Sequence, residues 1–213
     1  PGDPYRRTIN ATEIFKYIFN ADTVDHVLYR LMEEGIRFNE GTIVGKTIIF
    51  AYNHNHAVFI AERFNALYPE LGPDFCRVID NYEKYSSDLI DKFADKDKLP
   101  QIAVSVDMLD TGIDIPEVVN LVFFKPVHSK IKFWQMIGRG TRLCENLFGN
   151  GADKKEFLIF DYYRNFEYFE MNQEGSQPTK SQSIVTTLFK LRTDIKFALQ
   201  DGKYQSDDVA KAF

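Results

Sequence analysis

Two arginines in the second half of the chain offer the clearest chemistry. Arg139 and Arg142 lie three residues apart within the stretch QMIGRGTR, residues 135–142. The pattern predicts a helix over 131–143, and residues at that spacing project from one side of a helix. Guanidinium groups stay charged and present several donors, which suits the oxygen atoms of phosphates. The pair therefore indicates a site for a ligand that carries phosphate.

A polar loop precedes the arginines. Residues 107–116, DMLDTGIDIP, include Thr111, Gly112 and Asp114 and follow a strand predicted over 102–106. Gly112 is able to adopt a positive φ angle. Proteins of the α/β class bind phosphates at the carboxyl ends of their strands, where loops and helix N-termini gather. The loop and the arginines are therefore predicted to flank one edge of a sheet.

A phosphate-binding loop is not predicted at the Gly-Lys-Thr segment of the chain. Residues 41–47, GTIVGKT, end in this tripeptide, but only three residues separate the two glycines. The motif needs four intervening residues and must open a helix whose first amides surround the phosphates. Here Lys46 and Thr47 lead into a predicted strand, so the segment is interpreted as structural.

Strands and helices alternate through the middle of the chain. Apolar runs predict strands over 47–51, 76–79, 102–106, 118–124 and 157–160, and helical spacing predicts helices over 54–68, 86–94 and 131–143. This alternation indicates an α/β fold with parallel strands, right-handed crossovers and helices on both faces of the sheet. A peripheral amphipathic helix is also predicted over 21–36.

Four parts are predicted along the chain. They are a helical N-terminal linker segment over 1–45, an α/β lobe over 46–170, a polar linker over 171–183 and the start of a helical region over 184–213. Ile184, Leu188 and Leu191 recur at helical spacing in the last part. The chain begins without Met, which predicts that it is a piece of a longer protein.

Charge and composition limit the function classes. A net charge of -5 argues against a general nucleic-acid-binding surface. Residues 125–155 nevertheless hold seven Lys and Arg against two Asp and Glu, which predicts a local surface for a polyanion. The two cysteines and four histidines lack metal-ligand spacing, so no metal site is expected. No apolar run approaches the ~20 residues of a membrane span, and a cytoplasmic location fits the few cysteines.

The polar loop and the arginine stretch resemble two motifs of one enzyme superfamily. Residues 110–116, DTGIDIP, resemble motif V of superfamily 2 helicases and translocases, and residues 135–142 resemble their motif VI. The resemblance implies a RecA-like fold, with this chain as the second of two lobes that enclose ATP. It also implies that the first lobe supplies the phosphate loop and the Mg²⁺ ligands, so no Mg²⁺ ligand is expected here.

The same resemblance assigns roles at the nucleotide. Arg142 is the candidate arginine finger, and Arg139 is a second phosphate contact. Asp114 would accept a hydrogen bond from a ribose hydroxyl, and Gln135 would link the nucleotide to the first lobe. The residues expected to bind the nucleotide besides the arginines are Gln135, Gly112, Asp114 and Gly138.

Three further residues are candidates for contacts to a nucleic-acid backbone. Thr111 immediately precedes the motif V glycine. Asn53 and His56 follow the strand predicted over 47–51, at the position of motif IV. Contacts of this kind position a nucleic acid without reading its sequence.

Longer stretches resemble the restriction (R) subunit of type I restriction-modification enzymes. Residues 102–133, IAVSVDMLDTGIDIPEVVNLVFFKPVHSKIKF, and 133–144, FWQMIGRGTRLC, carry this resemblance, which covers roughly residues 5–170. It implies the translocase lobe of an ATP-dependent type I site-specific deoxyribonuclease. Double-stranded DNA, methyltransferase and specificity subunits and the first lobe are the implied partners. The isolated lobe is expected to be inactive, because half of the nucleotide site lies elsewhere.

Two alternatives stay open on sequence alone. The same lobe occurs in repair or remodelling helicases of superfamily 2, which methyltransferase partners would distinguish from a restriction subunit. A non-catalytic DNA-binding module of the same fold belongs to a different functional class. In that case replacement of Arg142 would leave DNA-stimulated ATP hydrolysis unchanged.

Overall fold

The computed structural model describes residues 19–38, 41–80, 86–109 and 114–171. The strands are β1 (Arg37–Phe38), β2 (Ile43–Val44), β3 (Thr47–Ala51), β4 (Cys76–Val78), β5 (Ile102–Ser105), β6 (Asn120–Phe124) and β7 (Leu158–Asp161). The helices are α1 (Ala21–Glu34), α2 (His54–Leu67), α3 (Ser86–Phe93), α4 (Lys130–Ile137) and α5 (Asn165–Met171). The linker and helical region predicted after Met171 lie outside the described residues.

Five strands form one parallel sheet in the order β4-β5-β3-β6-β7. Because the strands point the same way, they share an amino edge, where each begins, and a carboxyl edge, where each ends. Every connection between them must return the chain from the carboxyl edge to the amino edge. Strands β1 and β2 form a separate short antiparallel pair just before β3. The predicted α/β fold with parallel strands is confirmed.

The sheet is buried on both faces, as the continuous apolar strands predict. Successive residues of a strand face opposite sides. Ile49 and Ala51 of strand β3 pack in one cluster with helices α1 and α2. Ile48 and Phe50 pack in a second cluster with α3, α4 and α5. The prediction of helices on both faces is therefore confirmed.

The sequence predicts helix α1 as a peripheral helix, but the structure buries its apolar face in the core of the lobe. The Asn20 side chain caps it by accepting a hydrogen bond from the Thr23 N–H at 3.1 Å. Its apolar face packs in the core cluster that also contains Ile49 and Ala51 of strand β3. The buried residues of that face are Val24, Val27, Leu28 and Leu31.

Helix α4 is shorter than the spacing predicts, because it ends at Ile137. The chain then turns: the Gly140 N–H donates to the Ile137 carbonyl at 2.9 Å. Glycine costs ~1 kcal/mol relative to alanine inside a helix, and two glycines fall within three positions here. Arg139 therefore lies in the turn and Arg142 beyond it. The prediction that both arginines project from one side of a helix is wrong.

None of the helices in the described ranges combines the length and the hydrophobicity that a membrane crossing requires.

Candidate functional site

The polar loop meets the segment after helix α4 at an exposed surface. Arg142 Nε lies 2.9 Å from Asp114 Oδ1, and both side chains are more than half exposed. An exposed ion pair of this kind contributes only ~0–1 kcal/mol, so a more highly charged anion can displace the carboxylate. The structure thus brings together the candidate finger and the candidate ribose contact.

The other residues predicted at the nucleotide lie along or near the same stretch. Gln135 is exposed on helix α4, and Arg139 is half-buried in the following turn. Gly138 is the C-cap of that helix and has helical backbone angles. Thr111 and Gly112 lie outside the described residues, so their positions stay predictions.

The turn between the two arginines packs against the approach to strand β7. A Cβ atom at Gly140 would lie 2.1 Å from Phe157 Cδ2, far inside van der Waals contact. Phe157 immediately precedes strand β7. Gly140 is therefore required by a close approach, and its contact with the aromatic ring fixes the path of the chain between Arg139 and Arg142.

The sequence predicts that the polar loop and the arginines lie together at the carboxyl edge of the sheet, but the structure places their contact elsewhere. Strands β5 and β6 run parallel on either side of β3, so the loop leaves the carboxyl edge at Asp107 and reaches the amino edge by Pro116. Helix α4 likewise returns the chain toward the amino edge before Arg142. That prediction is wrong: Asp114 and Arg142 meet at the amino edge, opposite to the edge that usually binds ligands in such folds.

At the carboxyl edge, the two residues predicted after strand β3 have different environments. Asn53 caps helix α2, because its Oδ1 accepts from the His56 N–H at 2.9 Å. The His56 ring is fully buried against Phe19 and Phe124, and its Nδ1 accepts from the Tyr52 N–H at 3.2 Å. Burial lowers the pKa of His56 to about 4. A buried neutral ring cannot contact a phosphate, so His56 is withdrawn as a candidate and instead orders the end of β3.

The neighbouring His54, which sequence reasoning missed, is partly exposed at this edge. His54 Nδ1 lies 2.6 Å from Asp80 Oδ2, and the Asp80 side chain is almost fully buried. Asp80 follows strand β4, and His54 begins the helix that follows β3. No local spacing links the two residues. The available signal was that both follow predicted strand ends, which must share one edge of a parallel sheet.

Three charged residues cluster where strands β5 and β6 end. Asp107 Oδ1 accepts a hydrogen bond from Lys132 Nζ and a longer one, 3.5 Å, from Lys125 Nζ. Partial burial acts to raise the pKa of Asp107, but the Lys132 hydrogen bond and the two lysine charges outweigh it and lower the pKa. Asp107 therefore stays ionised and fixes both ammonium groups near the start of the polar loop.

The basic surface predicted over 125–155 is smaller than charge counts suggest. Lys125 and Lys154 are buried, and their ammonium groups donate to backbone carbonyls. Lys132 and Arg142 are each paired with a carboxylate. Two of the seven basic residues are thus withdrawn from the surface and two are paired but exposed, so the surface for a polyanion predicted over this stretch is smaller than seven charges.

Within the described part of the chain, no group of His, Cys, Asp and Glu has a geometry that could hold a metal ion. Cys76 is fully buried, and burial raises the pKa of its thiol. Cys144 is only partly buried at the amino edge. The two cysteines lie in separate environments.

Comparison with protein families matches the span that carries both motifs. A family described as "Helicase conserved C-terminal domain" matches residues 23–144, which is more than half of the 213-residue chain. The match begins in helix α1 and ends two residues after Arg142. It therefore includes the sheet strands β3 to β6, the polar loop and the turn with the arginines.

Two curated relatives are subunits of type I restriction enzymes. The chain is 38% identical over 124 residues to the "Type I restriction enzyme EcoKI endonuclease subunit" of Escherichia coli (strain K12), covering 54% of this chain and 10% of that protein. It is 29% identical over 143 residues to the "Type I restriction enzyme EcoAI endonuclease subunit" of Escherichia coli, covering 63% and 16%. The chain thus spans only a small part of these relatives.

A solved structure supports the same assignment. A fragment described as an HsdR subunit of a type I restriction enzyme from Vibrio vulnificus YJ016 matches with a TM-score of 0.65 and 26% identity, covering 81% of this chain and 32% of that chain. The RecA-like fold and the similarity to type I restriction subunits, both predicted from the motifs, are confirmed. On the family match, the chain belongs to the helicase conserved C-terminal domain family.

Proposed function

We propose that this chain is the second lobe of the ATP-dependent DNA-translocating motor of a type I restriction R subunit. The observation that carries the proposal is the Arg142–Asp114 contact, which joins the two motifs at an exposed surface. Membership of the helicase family supports nucleotide-dependent activity. Similarity to type I restriction endonuclease subunits supports this class of motor over other superfamily 2 enzymes.

The residues at the amino edge fit one wall of a nucleoside triphosphate site. Arg142 offers an exposed guanidinium group, and Asp114 offers a carboxylate that can accept hydrogen bonds from hydroxyls. Lys46 of the Gly-Lys-Thr segment is buried and donates to the Pro100 carbonyl at 2.8 Å, so it is not directed at this surface. The proposed motor therefore takes its phosphate loop and Mg²⁺ ligands from the first lobe.

In the proposed motor, hydrolysis of Mg²⁺-bound ATP supplies the free energy for movement along DNA. Arg142 leaves Asp114 and places its guanidinium group where negative charge develops, a contribution of ~10³ to 10⁵ in rate for arginine fingers. Arg139 holds a second phosphate oxygen, and Gln135 connects to the first lobe. Asp114, once released, accepts a hydrogen bond from a ribose hydroxyl.

Contacts to the DNA backbone are proposed at the opposite, carboxyl edge. Asn53 lies at the N-terminus of helix α2, where the helix dipole and the first amides favour a phosphate. Thr111 stays a second candidate on its motif position alone. Contacts of this type would hold DNA without reading its sequence, as a translocating motor requires.

The whole protein is proposed to be an ATP-dependent type I site-specific deoxyribonuclease of the cytoplasm. Its proposed partners are double-stranded DNA, methyltransferase and specificity subunits, and the first lobe of the same longer chain. Residues 1–45 are proposed as a helical N-terminal segment whose helix α1 packs on the lobe at 46–170, and residues 184–213 as the start of a helical region after the linker at 171–183. The lobe alone is proposed to be inactive.

Arg142→Ala in the full-length motor tests the proposal. We expect the DNA-stimulated ATP hydrolysis rate to fall by about 10³-fold or more, because the finger acts in the transition state. The affinity for DNA should stay unchanged, because the substitution is at the other sheet edge. Arg164→Ala is the matched control, since Arg164 is also exposed and paired with a carboxylate but lies away from both motifs.

An unchanged ATP hydrolysis rate in Arg142→Ala would remove the finger assignment and favour a non-catalytic DNA-binding module. A loss of the same size in Arg164→Ala would show a general effect of surface charge instead. Arg142→Lys tests whether the positive charge of Arg142 is sufficient or the planar guanidinium group is also needed. A lysine keeps the charge but not the planar fork, so it should recover only part of the rate.

A further inference from the structure

One buried lysine at the amino edge is tied to both functional segments. Lys154 is 5% exposed. Its Nζ donates to the Pro116 carbonyl at 3.0 Å and to the Val118 carbonyl at 2.6 Å. Pro116 lies two residues after Asp114, so the side chain of Lys154 holds the end of the polar loop.

The backbone of the same residue holds the other segment. The Lys154 N–H donates to the Cys144 carbonyl at 2.8 Å, and Cys144 lies two residues after Arg142. Three residues further along, the Phe157 ring packs on Gly140, between the two arginines. The segment 154–157 therefore contacts the chain on both sides of the Arg142–Asp114 pair.

We propose that Lys154 is a positioning residue that fixes the distance between Arg142 and Asp114 and thereby the phosphate-facing wall. The proposal rests on the proposed function and deepens it. Lys154 does not itself touch the nucleotide. It acts by holding the Pro116 and Val118 carbonyls with its side chain and the Cys144 carbonyl with its backbone.

The chemistry of the site explains why a lysine is required. Two backbone carbonyls converge where the loop enters strand β6, and a buried carbonyl without a donor is destabilising. An ammonium group supplies several donors at the end of a flexible stem. Burial lowers the pKa of Lys154 to about 8. An apolar side chain of similar length would fill the space but release the loop.

The chain contains a matched control in Lys46. This residue is also fully buried at the amino edge, and its pKa is also lowered by burial to about 8. Its ammonium group likewise donates to two backbone carbonyls, those of Lys98 and Pro100. Neither carbonyl belongs to the segments that carry Asp114 or Arg142. The backbone carbonyl of Lys46 accepts from the Val119 N–H at 3.0 Å, and Lys46→Met keeps that hydrogen bond. Lys46→Met therefore measures the loss of a buried lysine side chain that donates to neither segment.

The experiment compares Lys154→Met and Lys46→Met in the full-length motor. Both should lower the melting temperature. Only Lys154→Met should lower kcat for DNA-stimulated ATP hydrolysis, by up to about 100-fold, since small displacements of a catalytic group cost that much. In an Arg142→Ala background, Lys154→Met should lower the rate by a much smaller factor, because the main group that it positions is gone.

Lys154→Gln keeps an NH₂ donor and should retain more of the rate, which gives a second variant if the methionine form is too unstable to assay. Equal losses of kcat in the two methionine variants would overturn the proposal, as would a normal kcat in both Lys154 variants. An equally large loss in the Arg142→Ala background would also overturn it. If Arg142→Ala itself has a normal rate, the proposed function fails, and this outcome is distinct from the failure of Lys154 alone.

Discussion

The two edges of the sheet differ in what their polar side chains bond. At the amino edge, Lys46, Gln101 and Lys154 are buried and donate to backbone carbonyls. At the carboxyl edge, buried Lys125 also donates to a carbonyl, but carboxylates there pair with side chains, as in the His54–Asp80 and Lys132–Asp107 contacts. The amino edge is thus a fixed frame around the exposed Arg142–Asp114 pair.

This difference suits the two ligands proposed for the lobe. A fixed frame suits a nucleotide wall, where an arginine must be placed accurately against a reacting phosphate. An exposed pair such as Lys132–Asp107 suits a backbone that moves past, because exposed ion pairs are weak and exchange readily. We therefore expect substitutions at the amino edge to change ATP turnover, whereas those at the carboxyl edge should change DNA affinity.

The largest effect in this comparison is expected for Gly140→Ala. The added Cβ would meet the Phe157 ring at 2.1 Å, so the turn between the arginines must move. ATP turnover in the full-length motor should fall by up to about 100-fold, while DNA affinity stays unchanged. Steady-state ATP hydrolysis and fluorescence anisotropy with labelled DNA measure the two quantities.

Phe157→Ala combined with Gly140→Ala is the control for that prediction, because removal of the ring removes the clash. The double variant should turn over ATP faster than Gly140→Ala alone. A normal rate in Gly140→Ala would mean that the path of this turn does not position Arg142.

A smaller effect, on DNA affinity, is expected for Asn53→Asp. Aspartate caps a helix as well as asparagine does, so the melting temperature should equal that of the unaltered protein. The new carboxylate would repel a nearby phosphate by ~1 kcal/mol, a loss in DNA affinity of about fivefold. Asn53→Ser keeps the capping oxygen without the charge and should bind DNA more tightly than Asn53→Asp. Equal affinities of the two variants would exclude Asn53 as a contact.

The last effect, the smallest per pH unit, concerns stability alone. Burial lowers the pKa of Lys46 to about 8, below the 10.5 of an ordinary lysine. Between these values the unfolded chain binds more protons than the folded chain, so the free energy of unfolding rises with pH. Relative to Lys46→Met, the unaltered chain should gain on the order of 1 kcal/mol per pH unit from pH 8 to 10. Chemical denaturation at three pH values measures the free energy of unfolding of both proteins. The same pH dependence in the unaltered chain and in Lys46→Met would contradict the prediction.

Much of the fold follows from the sequence. Strand β3 lies at Thr47–Ala51, where a continuous apolar run predicts it, because such runs are buried on both faces. The end of helix α4 is less well predicted. The apolar spacing continues past Ile137 and predicts a longer helix. Gly138 and Gly140 disfavour helix there, and the helix ends before them.

The site is partly predictable. Motif order brings Asp114 and Arg142 together, but they meet at the amino edge and not at the predicted carboxyl edge. Strands β5 and β6 are parallel members of one sheet, so the chain between them must cross from the carboxyl edge to the amino edge. This rule alone places Asp114 near the start of β6. His56 is four residues before Ile60, a spacing that puts its ring on the buried side of helix α2. Lys154 has no local signal, since its partners are distant in sequence.

A structure of the full-length motor with DNA and a non-hydrolysable ATP analogue would decide whether Arg142 acts at the nucleotide. We expect the Arg142 guanidinium group to leave Asp114 and to bond the terminal phosphate at the amino edge, with DNA along the carboxyl edge. A bound nucleotide whose phosphates lie away from an intact Arg142–Asp114 pair would contradict it.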